Sequence, residues 1–166
     1  MNRYWNCIAI VAVYLCLACI TQAEDWPSFR GPLGNGVSSE DTVPVTWDSS
    51  TNIKWKTPLP RPANGSPIVS RDKVFVTSAL DSQGRERSLL CFDRETGKEV
   101  WRHTAQLDKT MQTHKTNPYC GSTPAANGEV AVVWHSTAGL FCVDFAGNEV
   151  WSRQLGEFEH IWGYGT

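Results

Sequence analysis

Histidine and cysteine are the residues of this chain best suited to metal or nucleophilic chemistry. His114 and Cys120 fall in the long segment between two repeats, and imidazole and thiolate both bind transition metals. They lack the paired spacing of zinc sites, so the sequence favours a loop held by local hydrogen bonds, with a metal or catalytic site as the alternative. His103, His135 and His160 have no spaced partner, and we interpret them as solvated or strand-end residues.

The carboxylates and short motifs do not indicate an active centre. Asp93 and Asp144 each precede a glycine (Gly97 and Gly147), a position where aspartate caps the backbone N–H groups of a turn. The chain has no adjacent cysteine pair, no Cys-x-x-Cys-His haem attachment, no Gly-x-Ser-x-Gly elbow and no Gly-rich phosphate loop between a strand and a helix. The sequence therefore nominates no catalytic, cofactor-binding or metal-binding residue.

Both aspartates belong to a repeated stretch that organises the chain. Residues 91–101 read CFDRETGKEVW, and residues 142–151 read CVDFAGNEVW, one residue shorter. Trp101 and Trp151 lie 50 positions apart, and Trp55 lies 46 positions before Trp101. A period of this size indicates an array of supersecondary units. Each copy predicts a β-hairpin, in which an alternating strand leads through a glycine-bearing turn to a second strand that ends on tryptophan.

Each repeat contains four predicted strands. Two short β-branched strands come first, then a loop (polar, at 81–87, in the first copy) and the hairpin. Four sequential antiparallel strands are the content of a propeller blade. We therefore predict an all-β fold, a partial β-propeller with four-stranded blades at about 61–105 and 119–156 and a further blade beginning at about 162.

Two segments precede the blades. Residues 24–51 are rich in Gly, Pro and Ser, which disfavour a regular helix or a central strand, so we predict an extended N-terminal arm. Within it, Trp26 and Phe29 are expected to pack against the rest of the protein. Residues 52–59 alternate polar and apolar side chains and predict a lone strand that would complete a last blade. The propeller repeats thus span 52–166.

Residues 1–23 have the features of a signal peptide. Arg3 supplies a positive charge, residues 7–20 form an apolar stretch, and residues 21–23 end on small Ala23. Because the apolar stretch is shorter than the ~20 residues that a spanning helix needs, cleavage after Ala23 is favoured over a membrane span. The mature chain is predicted to be exported, periplasmic or secreted, without a membrane span.

Removal of this leader leaves three of the six cysteines, Cys91, Cys120 and Cys142. Export permits disulfides, but an odd number argues against a stapled framework. Cys91 and Cys142 occupy the same position of the repeat, so buried free thiols are favoured over a bridge between them. Lipidation of Cys19 is disfavoured because bulky Leu17 lies where such sites prefer other residues.

The composition sets limits on the partners. With 41% hydrophobic residues, 19% charged residues, 13 Gly, 9 Pro and 8 Trp, the chain has a globular balance rich in turn-forming residues. The formal net charge of −2 gives no electrostatic footprint for nucleic acid and no polybasic run for anionic lipid.

The repeated motif resembles that of a known family. Cys91-x-Asp93-x-x-Thr96-Gly97-x-x-x-Trp101 resembles the tryptophan-docking motif of quinoprotein-type β-propellers, with Cys where Ala is usual, and the copy ending at Trp151 lacks one turn residue. Residues 26–32 (WPSFRGP) are similar to the opening of exported bacterial pyrroloquinoline-quinone-like repeat proteins. Residues 65–69 and 162–165 are similar to their blade openings.

This resemblance implies how the blades join and what the family can do. A tryptophan of one blade would stack on the turn glycine of the next, so Trp101 and Trp151 would form a belt. In the family's dehydrogenases it implies pyrroloquinoline quinone on the propeller axis, an adjacent cysteine pair, Ca²⁺ held by oxygen ligands and a catalytic Asp. A closed propeller has roughly four to eight blades, so the chain is expected to be the N-terminal part of a longer protein or a truncated one.

Because the cysteine pair is missing, we favour a non-catalytic function. The favoured hypothesis is an exported scaffold, with no cofactor in this fragment. It would bind a protein or carbohydrate through a propeller face or edge, similar to the outer-membrane assembly propeller. The alternative is the N-terminal part of an alcohol or sugar dehydrogenase that depends on pyrroloquinoline quinone and calcium.

Overall fold

The computed structural model describes residues 23–157, and these form two four-stranded antiparallel sheets. In both sheets the strands neighbour one another in sequence order, which confirms the predicted all-β fold and blade topology. We call the sheets blade 1 and blade 2. Blade 1 contains β1 (Ile68–Ser70), β2 (Lys73–Ala79), β3 (Glu86–Asp93) and β4 (Glu99–Gln106), and blade 2 contains β5 (Ala125–Ala126), β6 (Val130–Trp134), β7 (Leu140–Asp144) and β8 (Glu149–Arg153).

Three predicted features fall outside the described residues: the signal peptide before Ala23, His160 and the blade opening at about 162. The domain boundaries given above stay predictions. Within residues 23–157, no helix is long and apolar enough to cross a membrane.

The two blades pack face to face through the main core. Successive side chains of a strand point to opposite faces of the sheet, so each blade presents one set of residues to its neighbour. The other face of blade 1 carries a separate apolar cluster of Val76, Leu90 and Phe92, with Val74 against it. The interblade core consists of Ile68, Phe75, Leu89 and Cys91 from blade 1 and Ala131, Val133 and Val143 from blade 2.

Both blades carry an irregularity at the same place. The β3–β4 register shifts between Cys91 and Phe92, and the β7–β8 register shifts between Cys142 and Val143. A bulge bends its strand and increases the local twist. The bend therefore comes just before the hairpin turn in each blade and helps to set the direction of that turn.

The predicted polar loop at 81–87 is too long, because β3 already begins at Glu86. Arg87 is fully buried in this strand. Its Nε donates to the Gly84 carbonyl at 3.0 Å, its Nη1 donates to the His135 carbonyl at 3.3 Å, and its guanidinium lies 5.1 Å from the Tyr119 ring centroid. A charged side chain can be buried in a strand when acceptors and a π-face replace water.

The N-terminal arm connects the two blades. Trp26 pairs with Val69 of β1 through two backbone hydrogen bonds of 2.8 and 2.9 Å, and the Pro27 carbonyl accepts a 2.8 Å bond from the Ala126 N–H of β5. The arm thus packs against the blades as predicted, through Trp26, whereas Phe29 does not contribute, since 63% of its surface is exposed. The predicted lone strand at 52–59 is not formed: among residues 23–157 this segment pairs with no other strand, and Asn52 has a positive φ of 58°.

Candidate functional site

A groove of about 1100 Å³ lies on the face of blade 1 that points away from blade 2. Its floor is apolar and includes Val74, Val76 and Phe92, which belong to the second cluster described above. The segment 54–59 forms one wall. Lys54, Arg94 and Glu95 bring charge to the lining.

Trp55 of that wall is docked on the hairpin turn of blade 1. Its indole Nε1 donates to the Arg94 carbonyl at 2.8 Å, and the Thr57 hydroxyl donates to the Gly97 carbonyl at 2.6 Å. A Cβ atom at Gly97 would lie only 2.4 Å from Trp55 Cδ2, so the ring lies directly on the glycine. Gly97 also has φ of +68°, a conformation that side chains with a Cβ rarely adopt.

Trp101 makes the corresponding contact with blade 2. Its Nε1 donates to the Phe145 carbonyl at 3.0 Å, and a Cβ at Gly147 would lie 2.9 Å from Trp101 Cγ. The ring also packs against Phe75 of the interblade core, with centroids 5.8 Å apart. This geometry confirms the predicted docking of Trp101, whereas that of Trp151 on a further blade stays a prediction.

The two contacts are equivalent in detail. Arg94 directly follows Asp93 and Phe145 directly follows Asp144, so each indole N–H reaches the same carbonyl of its turn. At Trp101 a complete blade stands behind the tryptophan. At Trp55 the described residues supply only the irregular segment 52–59, and the groove lies beside it. The groove therefore has the shape of a blade-to-blade contact that lacks most of one partner.

Comparison with protein families agrees with this architecture. The family model described as outer membrane protein assembly factor BamB matches residues 36–161. The chain belongs to this family of pyrroloquinoline-quinone-like repeat proteins. The crystal structure of BamB from Moraxella catarrhalis is similar to it with 18% sequence identity and a TM-score of 0.45, over 61% of this chain and 26% of that chain. The chain thus spans about a quarter of that BamB, and no curated protein matches it.

The repeated aspartates of this BamB-family chain cap turns, as their spacing predicts. Asp93 Oδ1 accepts hydrogen bonds from the backbone N–H and the hydroxyl of Thr96. Asp144 accepts from the backbone N–H of Ala146 and from both the backbone and side chain of Asn148. These bonds stabilise the charged carboxylates and lower the pKa of each aspartate, which suits a cap and not a base at neutral pH.

His114 and Cys120 do not form a site. The exposed His114 shares a 2.8 Å hydrogen bond with the Thr116 hydroxyl, so local bonds hold this loop. Cys120 is buried, and burial raises the pKa of its thiol to about 11. Among residues 23–157, no group of three or more His, Cys, Asp or Glu side chains is placed to hold a metal ion.

Two of the histidines interpreted as solvated or strand-end residues are shielded from solvent, although His135 does lie at a strand end as that interpretation allows. His135 follows β6 and is completely buried, and neither ring nitrogen has a hydrogen-bond partner. His103 lies on β4, where its Nε2 is 2.9 Å from Glu149 Oε2 of β8. Both rings contact Phe141, with centroids 6.0 and 5.2 Å away. Sequence spacing did not indicate this cluster because its members come from different strands and different blades.

The cysteines of residues 23–157 do not supply the adjacent pair that the resemblance implies for a quinone site. Cys91, Cys120 and Cys142 are instead separate, free and buried. Burial raises the pKa of the Cys91 thiol to about 12 and also raises that of Cys142, so both are suited to packing.

Proposed function

We propose that this chain is part of an exported, non-catalytic scaffold that binds a protein partner. The family supports this proposal, because its description names an outer membrane protein assembly factor and the family model covers residues 36–161. The leader-like residues 1–23 support export to the periplasm or the exterior.

The observation that carries the proposal is the family match over residues 36–161. Among the described residues, the apolar groove of blade 1 is the surface where a partner would dock. Valine and phenylalanine form its floor, and the charges at its edge are engaged, Lys54 with Glu95 at 2.6 Å and Arg94 with Asp25 at 3.1 Å. An apolar floor is stabilised when apolar protein surface covers it. A carbohydrate would need polar groups for its hydroxyls, so this groove favours protein. The partner that fits is the apolar face of a β-sheet, the kind of surface that blade 2 presents to the opposite side of blade 1.

Photo-crosslinking in the exporting cell tests this binding role. A photoreactive amino acid at Leu59, on the groove wall, should crosslink to a separate protein and give a species heavier than the gene product alone, whereas one at the comparably exposed Val150 of β8 should not. Val76→Asp, which places a charge on the groove floor, should abolish the Leu59 crosslink. Equal crosslinking at both positions, or an unchanged crosslink in Val76→Asp, would contradict the proposed docking.

A quinone titration tests the non-catalytic part. We expect no saturable change in absorbance when pyrroloquinoline quinone and Ca²⁺ are added to the full gene product. A saturable change that needs Ca²⁺ would instead support the dehydrogenase alternative.

A further inference from the structure

The first described residues are held by a dense set of contacts. The backbone nitrogen of Glu24 lies 2.6 Å from Glu40 Oε1. The Glu24 carboxylate accepts a 2.7 Å bond from the Ser38 hydroxyl and a 3.0 Å bond from the Ser39 N–H. Glu24 is thus fixed at both its nitrogen and its side chain by the single loop 38–40.

Arg94 fixes the next positions. Its Nη1 donates to Asp25 Oδ1 at 3.1 Å, and its Nη2 donates to the carbonyls of Ala23 and Glu24 at 2.7 and 3.3 Å. The pairing of Trp26 with β1 follows directly. Cleavage of the Ala23–Glu24 peptide bond would remove the hydrogen bond between Arg94 and the Ala23 carbonyl. The contacts of Glu24, Asp25 and Trp26 would remain, so the arm would stay in place.

We propose that loop 38–40 is a receptor for a new chain terminus at Glu24, in which the Glu40 carboxylate pairs with the α-ammonium group released by cleavage after Ala23. This inference rests on the proposed export. The leader-cleaving peptidase of the export route would hydrolyse the bond. The hydroxyl of water adds to the Ala23 carbonyl carbon, the C–N bond breaks, and the nitrogen of Glu24 keeps the electron pair and takes up protons. The products at neutral pH are a carboxylate on Ala23 and an ammonium on Glu24.

Cleavage changes the chemistry of one atom that is already in position. An amide nitrogen offers Glu40 one neutral donor, whereas an ammonium offers a positive charge and three donors. Hydrogen bonds between charged groups are stronger than neutral ones. The mature arm should therefore be held more firmly than the same arm in the precursor.

The test begins with the full gene expressed with its own leader in an exporting bacterium. Intact mass of the exported product should place the first residue at Glu24. The pH dependence of acylation then gives the pKa of the α-amine, whose ordinary value is about 7.7–8.0. We expect a value about half a unit higher than in Glu40→Gln, which corresponds to acylation about 2.5-fold slower near pH 7.5. Asp41→Asn, the matched control at the neighbouring carboxylate, should leave the amine unchanged.

The outcomes separate this inference from the proposed export. An exported product that begins at Glu24 but has the same amine pKa in wild type and Glu40→Gln would overturn the ion pair and leave export intact. An exported product that begins elsewhere would overturn the processing site alone, and an uncleaved, retained chain would overturn both. As a second readout, Glu40→Gln should lower the Tm of the mature protein more than that of a form with two alanines added before Glu24. Equal losses would contradict the pairing.

Discussion

The two tryptophan-docking contacts are nearly identical locally but differ in what lies around them. Trp55 and Trp101 each lie on a turn glycine and donate to the carbonyl that follows the turn aspartate. Trp101 continues into the interblade core, where it meets Phe75. Trp55 borders an open groove. Equivalent hairpin turns therefore accept a tryptophan from a strand within a sheet, as for Trp101, or from a segment that pairs with no strand, as for Trp55. Docking thus depends on the hairpin itself and not on the element that carries the tryptophan.

Removing each indole should separate the docking from the packing around it. Trp101→Ala should lower the free energy of unfolding by about 3 kcal/mol, because it opens a space next to the core as well as breaking the turn contact. Trp55→Ala should cost about 1–2 kcal/mol, since less of its surroundings is filled. Urea denaturation of the two variants at pH 7.5 measures the difference. Equal losses would mean that the core contributes nothing beyond the turn.

Acid should lower the stability of the packing between the blades through His135, whose carbonyl accepts from Arg87 of blade 1. Burial, with Arg87 and His103 nearby, lowers the pKa of His135 to about 3, whereas an unfolded histidine titrates near 6.5. The unfolded chain therefore takes up a proton first as the pH falls, so stability is full above about pH 6.5 and is lost towards about pH 3. The slope is at most about 1.4 kcal/mol per pH unit, or about 2 kcal/mol by pH 5.

Urea denaturation between about pH 5 and 7.5 measures the loss of stability due to His135 alone, because the turn aspartates Asp93 and Asp144 change stability only at lower pH. Their lowered pKa values mean that their stabilisation is present at pH 5 and is lost only as the pH falls through those folded-state values. His135→Leu should flatten the pH dependence. His114→Ala, at an exposed histidine, should keep it, and a slope that persists in His135→Leu would refute the assignment.

The glycines test whether each contact depends on close approach. Gly97→Ala should cost about 1–2 kcal/mol, because alanine is strained at this positive φ and its Cβ would displace Trp55. In the double variant with Trp55→Ala the clash disappears, so the combined loss should fall short of the sum by about 1 kcal/mol. A matched thermodynamic cycle with Gly147→Ala and Trp101→Ala compares the two contacts. Strict additivity at both sites would show that the rings do not press on the glycines.

Removing the ion pair between Lys54 and Glu95 at the groove edge should change the free energy of unfolding least. Lys54 and Glu95 are 60% and 71% exposed, so solvent screens their 2.6 Å contact. Lys54→Ala should change stability by less than about 0.5 kcal/mol, and the change should vanish in 1 M salt. A larger, salt-resistant loss in urea denaturation would indicate that the lysine stem packs on the apolar floor instead.

Local patterns in the sequence were enough to predict the blades. Alternation gives strands, the repeated Asp and Gly positions give the hairpin turns, and the periodic tryptophans give Trp101 docking on Gly147. These features depend on residues close together in the chain or on an exact repeat. The spacing of 46 residues between Trp55 and Trp101 also indicated that Trp55 docks on a turn, but residues 52–59 were interpreted only as a strand.

Features formed between distant segments were not predictable in the same way. The burial of Arg87 and His135 depends on facing blades, and a charged or titratable residue at the end of an apolar run normally indicates solvent. The contacts of Arg94 with the arm join residues about seventy positions apart. The groove likewise forms because the segment 54–59 lies beside the sheet of blade 1. The alternation of polar and apolar residues does not specify that position.

The arm has a consequence for how the protein unfolds. In repeat proteins each unit is coupled only to its neighbours through their shared interface, so terminal units can open singly. Here consecutive residues of one segment are bonded to different sheets, Trp26 to Val69 and Pro27 to Ala126. Detachment of blade 2 must break the Pro27–Ala126 bond as well as the interblade core, so this short segment adds to the coupling between the two units. We therefore expect the two blades to unfold more cooperatively with the arm than without it.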